Sequence, residues 1–340
     1  MMRVPRTNPD YHTANYSGHR VLVTGASGVL GSGVAQALVA AGAHVTVLQR
    51  SPSGLSGVHE VQGSVTDADA VAAAVTDVDS VIHIAAKVSV SGPVTEYKHV
   101  NVEGTRLLLE AAQSAGVQRW IHISSPSVAH SGTSIIGAGA GPANPSTARG
   151  HYAATKAAGE LLALGADSPT FRVLAIRPHL MWGPGDTQLT ERIIDRAKDN
   201  RLPLLDGGTA MVDTLFSVNA VEAIVAALAA VDRVHGEALV LTNGEPRPIG
   251  EVIRRLAVAG GAPEPTLNLP SSLAKAAGSL IESFWDAEKR GDEPPITRFL
   301  AEQMSTAHWF DQRRTQEVLQ WQPRISLAEG FELTRQYYNP

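Results

Sequence analysis

Three side chains in this sequence have the chemistry for moving a proton to and from a carbonyl oxygen: Ser125, Tyr152 and Lys156. Tyr152 and Lys156 lie four apart in an alanine-rich stretch, residues 151–166, so on a helix they share one face and can meet a common ligand. A phenol with its ordinary pKa of about 10 is a poor acid or base at neutral pH, and a neighbouring ammonium favours the phenolate and brings that pKa toward the working range. Ser125 closes the apolar run 119–125 and offers a hydroxyl to hold a substrate oxygen. The trio points to general acid/base chemistry at a substrate carbonyl or hydroxyl oxygen.

Beside such chemistry, residues 20–41 have the form that holds a nucleotide. Val21, Leu22 and Val23 make a short strand pattern, three glycines follow at 25, 28 and 31, and residues 34–41 read as an apolar helix. Gly25 permits the turn, Gly28 lets backbone approach a pyrophosphate, and Gly31 lets the helix pack closely on the strand. The free N–H groups at the helix start then face phosphate, so Gly25, Ala26, Ser27, Gly28, Val29, Leu30 and Gly31 are expected on the cofactor. Residues 44–48 read as the second strand, followed by Gln49, Arg50 and Ser51. No acid stands there for the ribose hydroxyls, and Arg50 suits a 2′-phosphate, which favours NADP(H) with NAD(H) as the weaker alternative.

The remaining pattern supplies walls for this site. Residues 58–63 read as a third strand that delivers Ser64 and Val65. Residues 79–86 read as a fourth, ending in Ala85 and Ala86, whose small size leaves room for a ligand. Lys87 follows, as a contact to phosphate or substrate or as a loop cation. Residues 96–116 read as one long helix carrying Asn101, and residues 171–177 as a sixth strand ended by Pro178 beside the nicotinamide. Residues 131–150 hold five glycines and two prolines, the composition of a lid or mobile loop at the substrate entrance. Helices are expected at 187–200, 249–260, 271–289 and 297–303.

The fold expected is α/β, a doubly wound parallel sheet with a smaller C-terminal substrate lobe. The division is 1–19 as an extension, 20–180 with 212–245 as the nucleotide domain, and 181–211 with 246–340 as the substrate lobe. A chain of 340 residues, 44% hydrophobic, can bury the core this requires. Its net charge of −5 and lack of a dense basic run argue against nucleic acid. With no cysteine there is no thiolate ligand or nucleophile. No two of the twelve histidines are three or four apart, so no helix presents a zinc pair and no metal is expected. No stretch approaches the ~18 apolar residues of a membrane span, and a cytoplasmic protein is expected.

Taken together, Thr24-Gly25-Ala26-Ser27-Gly28-Val29-Leu30-Gly31, His83-Ile84-Ala85-Ala86, Asn101-Val102-Glu103-Gly104-Thr105, Ser124-Ser125, Tyr152-x-x-x-Lys156 and Arg177-Pro178 with Gly183-Pro184-Gly185 resemble the extended short-chain dehydrogenases/reductases. Within that superfamily the chain is most like the 3β-hydroxysteroid dehydrogenase branch. In Pro126-Ser127-Val128, Asn243-Gly244-Glu245-Pro246 and residues 293–303 it is similar to 2-alkyl-3-ketoacid reductases of bacterial long-chain olefin and β-lactone pathways. The resemblance implies Tyr152 as acid/base, Lys156 as its modulator and ribose ligand, Ser125 as the carbonyl-orienting hydroxyl and Asn101 as a buttress. It also implies a homodimer associated with other pathway enzymes. Two departures stand out: Ser64 where many members have an acid for the adenine amine, and Asn219 where an Asp is common. Phe284, Trp285, Phe299, Trp309 and Phe310 suggest an apolar substrate, while Arg298, His308 or Lys87 would meet its anionic end.

Overall fold

The computed structural model describes residues 14–88, 92–288 and 297–339, without the side chains of 282–288 and 299. Seven parallel strands form the main sheet, in the order Glu237–Leu241, Arg172–Pro178, Arg119–Ile123, Ser80–His83, Arg20–Thr24, His44–Gln49 and Val58–Gln62. The central strands are apolar on both faces, as strands covered by helices on both sides must be. Helices Val29–Ala40 and Ser217–Ala230 pack one face around Val23, Leu38, Ile121 and Ile224; Ala68–Ala74 and Thr105–Ser114 pack the other around Leu22, Leu108 and Trp120. The strand order reverses between Arg20–Thr24 and Ser80–His83, and the crevice outside the carboxyl ends of such strands is where this architecture binds ligands.

Two of the glycines in the first loop are dictated by close approach. A Cβ on Gly31 would stand 2.2 Å from the Gly25 carbonyl oxygen, so only glycine lets the helix rise from this turn. Gly25 has φ +78° and its Cβ would meet the Ala85 backbone nitrogen at 2.9 Å, which seats the loop against the fourth strand. Gly28 caps the helix with no side-chain hydrogen bond, leaving the first-turn N–H groups open.

Two expectations about the chain need correction. The long helix over 96–116 is three joined pieces: Val94–Lys98, a π-helical stretch His99–Gly104 and Thr105–Ser114. The wider turn carries Asn101 inward, a common use of π geometry at functional sites. Residues 131–150 are not a free lid. Their Ile135–Ala138 strand pairs in parallel with His308–Phe310, which joins Met211–Val212 and Arg247–Pro248 in a four-stranded second sheet. That sheet and a core cluster of Trp182, Phe216, Leu256 and Phe331 lie apart from the main sheet and its two cores. Among the described residues no helix is long and apolar enough to cross a membrane.

Candidate active site

Tyr152 and Lys156 occupy the first two turns of the helix Gly150–Gly165, and Ser125 caps the short 3-10 turn Pro126–Ala129 at the end of its strand. The Ser125 hydroxyl interacts with the Tyr152 phenol and opposes the upward push that burial exerts on it; the phenol is pushed up to about 12. Lys156 is pushed down to about 8 by its own burial, against the pull of Glu160. Its ammonium donates to the Ile123 carbonyl at 2.5 Å. The influences on the phenol here are burial first and the Ser125 hydroxyl second. The ammonium is engaged by backbone, and desolvation dominates the phenol.

The helix bearing this pair is tied to the nucleotide loop by a directed chain of hydrogen bonds. Thr24, just before Gly25, accepts from the Ile84 and Ala85 N–H groups, each at 3.1 Å, which leaves its proton for His83 Nδ1 at 2.8 Å. His83 must then carry its own proton on Nε2, which meets Thr105 Oγ1 at 3.0 Å, and Thr105 donates to the Asn101 carbonyl at 2.9 Å. The Asn101 side chain accepts from Lys87 N–H at 2.7 Å and donates to the Lys87 carbonyl and to Thr155 Oγ1, both at 3.1 Å. Thr155 stands between Tyr152 and Lys156. Burial holds His83 neutral, pushed down to about 3.

A second anchor is the buried ion pair of Arg177 with Glu160, in which Nε donates to Oε2 at 2.8 Å and Nη2 to Oε1 at 2.5 Å. Arg177 also donates to the Ala140 and Gly141 carbonyls, so it holds the 139–141 segment to the catalytic helix. A buried pair of this kind is costly to break singly.

On the far side of Ser125, His130 ends its turn and meets His308 with 3.0 Å between their Nε2 atoms. His179, next to Pro178, stacks edge-on against His308 and Phe310. Both His179 and His308 are pushed down to about 3, mainly by burial. Three histidines distant in sequence thus meet where the lobes join. Among the described residues, no group of three or more His, Asp or Glu is arranged to hold a metal.

Other candidate residues are distributed as follows. Ser27 and Gly28 are exposed at the loop, Val29 and Leu30 half-buried and Ala26 buried. Arg50 is exposed just beyond the second strand, while the hydroxyl of Ser64 meets that of Thr66 at 2.8 Å beside buried Val65. Ala85, Ala86 and Pro178 line the carboxyl edge of the sheet, half-buried. Asn219 uses its whole amide: Nδ2 donates to Asn243 Oδ1 and the Ile325 carbonyl, and Oδ1 accepts from Arg324 and Ile325 N–H. An aspartate could not make the two donations.

The three cations considered for an anionic substrate are otherwise engaged. Lys87 donates to Glu96 at 2.5 Å and lies over the Tyr97 ring, Arg298 donates to Glu302 at 3.0 Å, and His308 is neutral. Arg149, passed over in the sequence, precedes the catalytic helix by one residue and is half-exposed; its Nε donates to the Ser131 carbonyl at 3.3 Å and stands 3.9 Å from Glu302. Its placement three residues before Tyr152 was the available signal. The expected roles of Phe284, Trp285 and Phe299 fall on side chains outside the described residues.

A family model for the NAD dependent epimerase/dehydratase family matches residues 21–242. The chain is 36% identical over 321 residues to the 2-alkyl-3-oxoalkanoate reductase of Stenotrophomonas maltophilia (strain K279a), covering 92% of this chain and 97% of that one. It is 29% identical over 337 residues to the 3-beta-hydroxysteroid dehydrogenase of Mycolicibacterium neoaurum, covering 94% and 90%. Among solved structures, MoeE5 in complex with UDP-glucose and NAD superposes with a TM-score of 0.72 at 23% identity, over 94% of this chain and 98% of that one, a likeness of fold.

Proposed function

Since this chain belongs to the NAD-dependent epimerase/dehydratase family and is an NAD(P)-dependent oxidoreductase, we propose that it reduces a hydrophobic 2-alkyl-3-oxo acid to the 3-hydroxy acid with NADPH. The observation that carries the reading is that Tyr152 and Lys156 lie one turn apart on a helix that the buried Lys156 ammonium fixes to the end of the strand leading to Ser125, through the Ile123 carbonyl. The substrate class is supported by the name of the Stenotrophomonas relative.

The glycine loop fits a dinucleotide, because Gly25 and Gly31 permit a turn that larger residues would block and the helix start beyond Gly28 is open. The loop and that helix start would hold the pyrophosphate, Arg50 the 2′-phosphate and Lys156 the ribose near the nicotinamide. When bound, the cofactor supplies the hydride. Ser125 donates a hydrogen bond that holds the ketone oxygen, and Tyr152, protonated at neutral pH, gives that oxygen its proton as charge develops there. Arg149, Arg298 or Lys87 would meet the carboxylate of the oxo acid by charge-assisted hydrogen bonds, each exchanging its present acidic neighbour for the substrate.

Purified protein assayed with NADPH and NADH against 2-alkyl-3-oxo acids, their methyl esters, ketosteroids and nucleotide sugars tests the reading. NADPH should bind about tenfold more tightly than NADH, and an acid should exceed its ester about tenfold in kcat/KM, each a difference of ~1.4 kcal/mol. Tyr152→Phe should lower kcat by roughly 10²–10⁴ while NADPH affinity holds. The steroid reading, supported by the Mycolicibacterium relative, replaces this one if ketosteroids turn over with the higher kcat/KM.

A further inference from the structure

Ser125 Oγ receives two hydrogen bonds from a single residue. The Ser127 backbone N–H donates to it at 3.3 Å and the Ser127 hydroxyl donates at 2.9 Å. A hydroxyl has one proton to give and two lone pairs with which to accept, so both acceptor positions of Ser125 are taken and only its proton remains to be placed. The Ser125 hydroxyl also favours the charged form of the Tyr152 phenol, as a donor does.

The turn itself does not need the Ser127 hydroxyl. Pro126 presets the backbone at its start, and the turn is closed by Val128 N–H to the Ser125 carbonyl and His130 N–H to the Ser127 carbonyl, both at 3.2 Å. Ser127 is half-buried, and any small residue would satisfy the local fold. Its hydroxyl is explained by what it touches.

We propose that Ser127 is a positioning residue for the reduction: it holds Ser125 as an obligate donor, so that the Ser125 proton points to the ketone oxygen and Ser125 cannot accept the Tyr152 proton in the substrate's place. This rests on the catalytic roles given above to Ser125 and Tyr152. Without the Ser127 hydroxyl, one lone pair of Ser125 opens toward Tyr152. The phenol O–H then has a competing acceptor, and the Ser125 proton is no longer held in one direction as the phenolate's donor.

Three variants and two readouts test this with the full chain. Ser127→Ala should lower kcat for ketone reduction about tenfold, with the Kd for NADPH unchanged within a factor of two, and Ser127→Thr should restore most of the loss. In alcohol oxidation, where Tyr152 must act as the base, the acid limb of the kcat/KM profile should move to higher pH in Ser127→Ala, because a phenolate whose donor is free to turn away is harder to form. Tyr152→Phe is measured beside them. Wild-type kcat and an unmoved limb in Ser127→Ala, with Tyr152→Phe inactive, overturn the positioning role alone; near-normal kcat in Tyr152→Phe overturns the site and this role with it. A loss in Ser127→Ala that threonine does not restore and that comes with weaker NADPH binding marks a structural role and also overturns the proposal.

Discussion

His83 and His308 are both buried imidazoles beside the candidate site, one on the nucleotide side and one where the lobes meet, and their surroundings differ. Each ring nitrogen of His83 has a hydroxyl partner, Thr24 on one side and Thr105 on the other, which imposes a single tautomer. His308 has both of its contacts on one nitrogen. The Thr306 hydroxyl donates to the Glu302 carbonyl and so accepts from His308 Nε2 at 2.9 Å, and His130 shares that same nitrogen. His308 Nδ1 and His179 Nε2 have no partner among the described residues, so ring packing rather than hydrogen bonding holds that side. The nucleotide side is thus specified by directed polar contacts, and the substrate side by shape.

Replacing the two histidines separates these modes. His83→Leu would leave the Thr24 proton and one Thr105 lone pair buried without a partner and cut the chain of bonds between them, and should cost about 2–4 kcal/mol in urea unfolding. A loss under ~1 kcal/mol would show that the chain of bonds from the glycine loop to the catalytic helix carries no weight. Acid sharpens the contrast, because His83, His179 and His308 are neutral in the fold, each pushed down to about 3, whereas an unfolded histidine titrates near 6.5. Between those values the unfolded chain binds more protons, so stability is fully present above about pH 6.5 and falls as pH drops. The slope should approach ~1.4 kcal/mol per pH unit for each imidazole, and urea midpoints at successive pH values below 6.5 should decline steeply. A flat profile would mean that these rings are solvated. The smallest effect is expected for His308→Phe. It keeps the ring packing but removes both nitrogens, the unpartnered Nδ1 and the Nε2 that donates to Thr306, and should cost roughly 1 kcal/mol while making the acid decline shallower. Should it destabilise as much as His83→Leu, shape is not what holds the lobe junction.

The same division explains what was readable in advance. Gly25, Gly28, Gly31 and the Tyr152/Lys156 spacing are local patterns in which near neighbours must cooperate, and the main-sheet strands and most helices follow from them. Asn101 was visible as a motif position, but its inward pose depends on a π-helical turn that apolar periodicity does not encode. The glycine-rich 131–150 segment reads as a loop from composition, yet Ile135–Ala138 becomes a strand because His308–Phe310, far along the chain, supplies its hydrogen-bonding partner.

By itself the sequence determined the doubly wound class, the glycine loop and the pairing of a phenol with a lysine on one helix, since these rest on steric rules and short-range periodicity. Only the tertiary structure decided that Lys156 spends a proton on the Ile123 carbonyl, and that His130, His179 and His308 share one buried junction. Those outcomes depend on burial and on contacts between residues as many as 178 positions apart. Desolvation and hydrogen-bond direction arise only once such segments have packed.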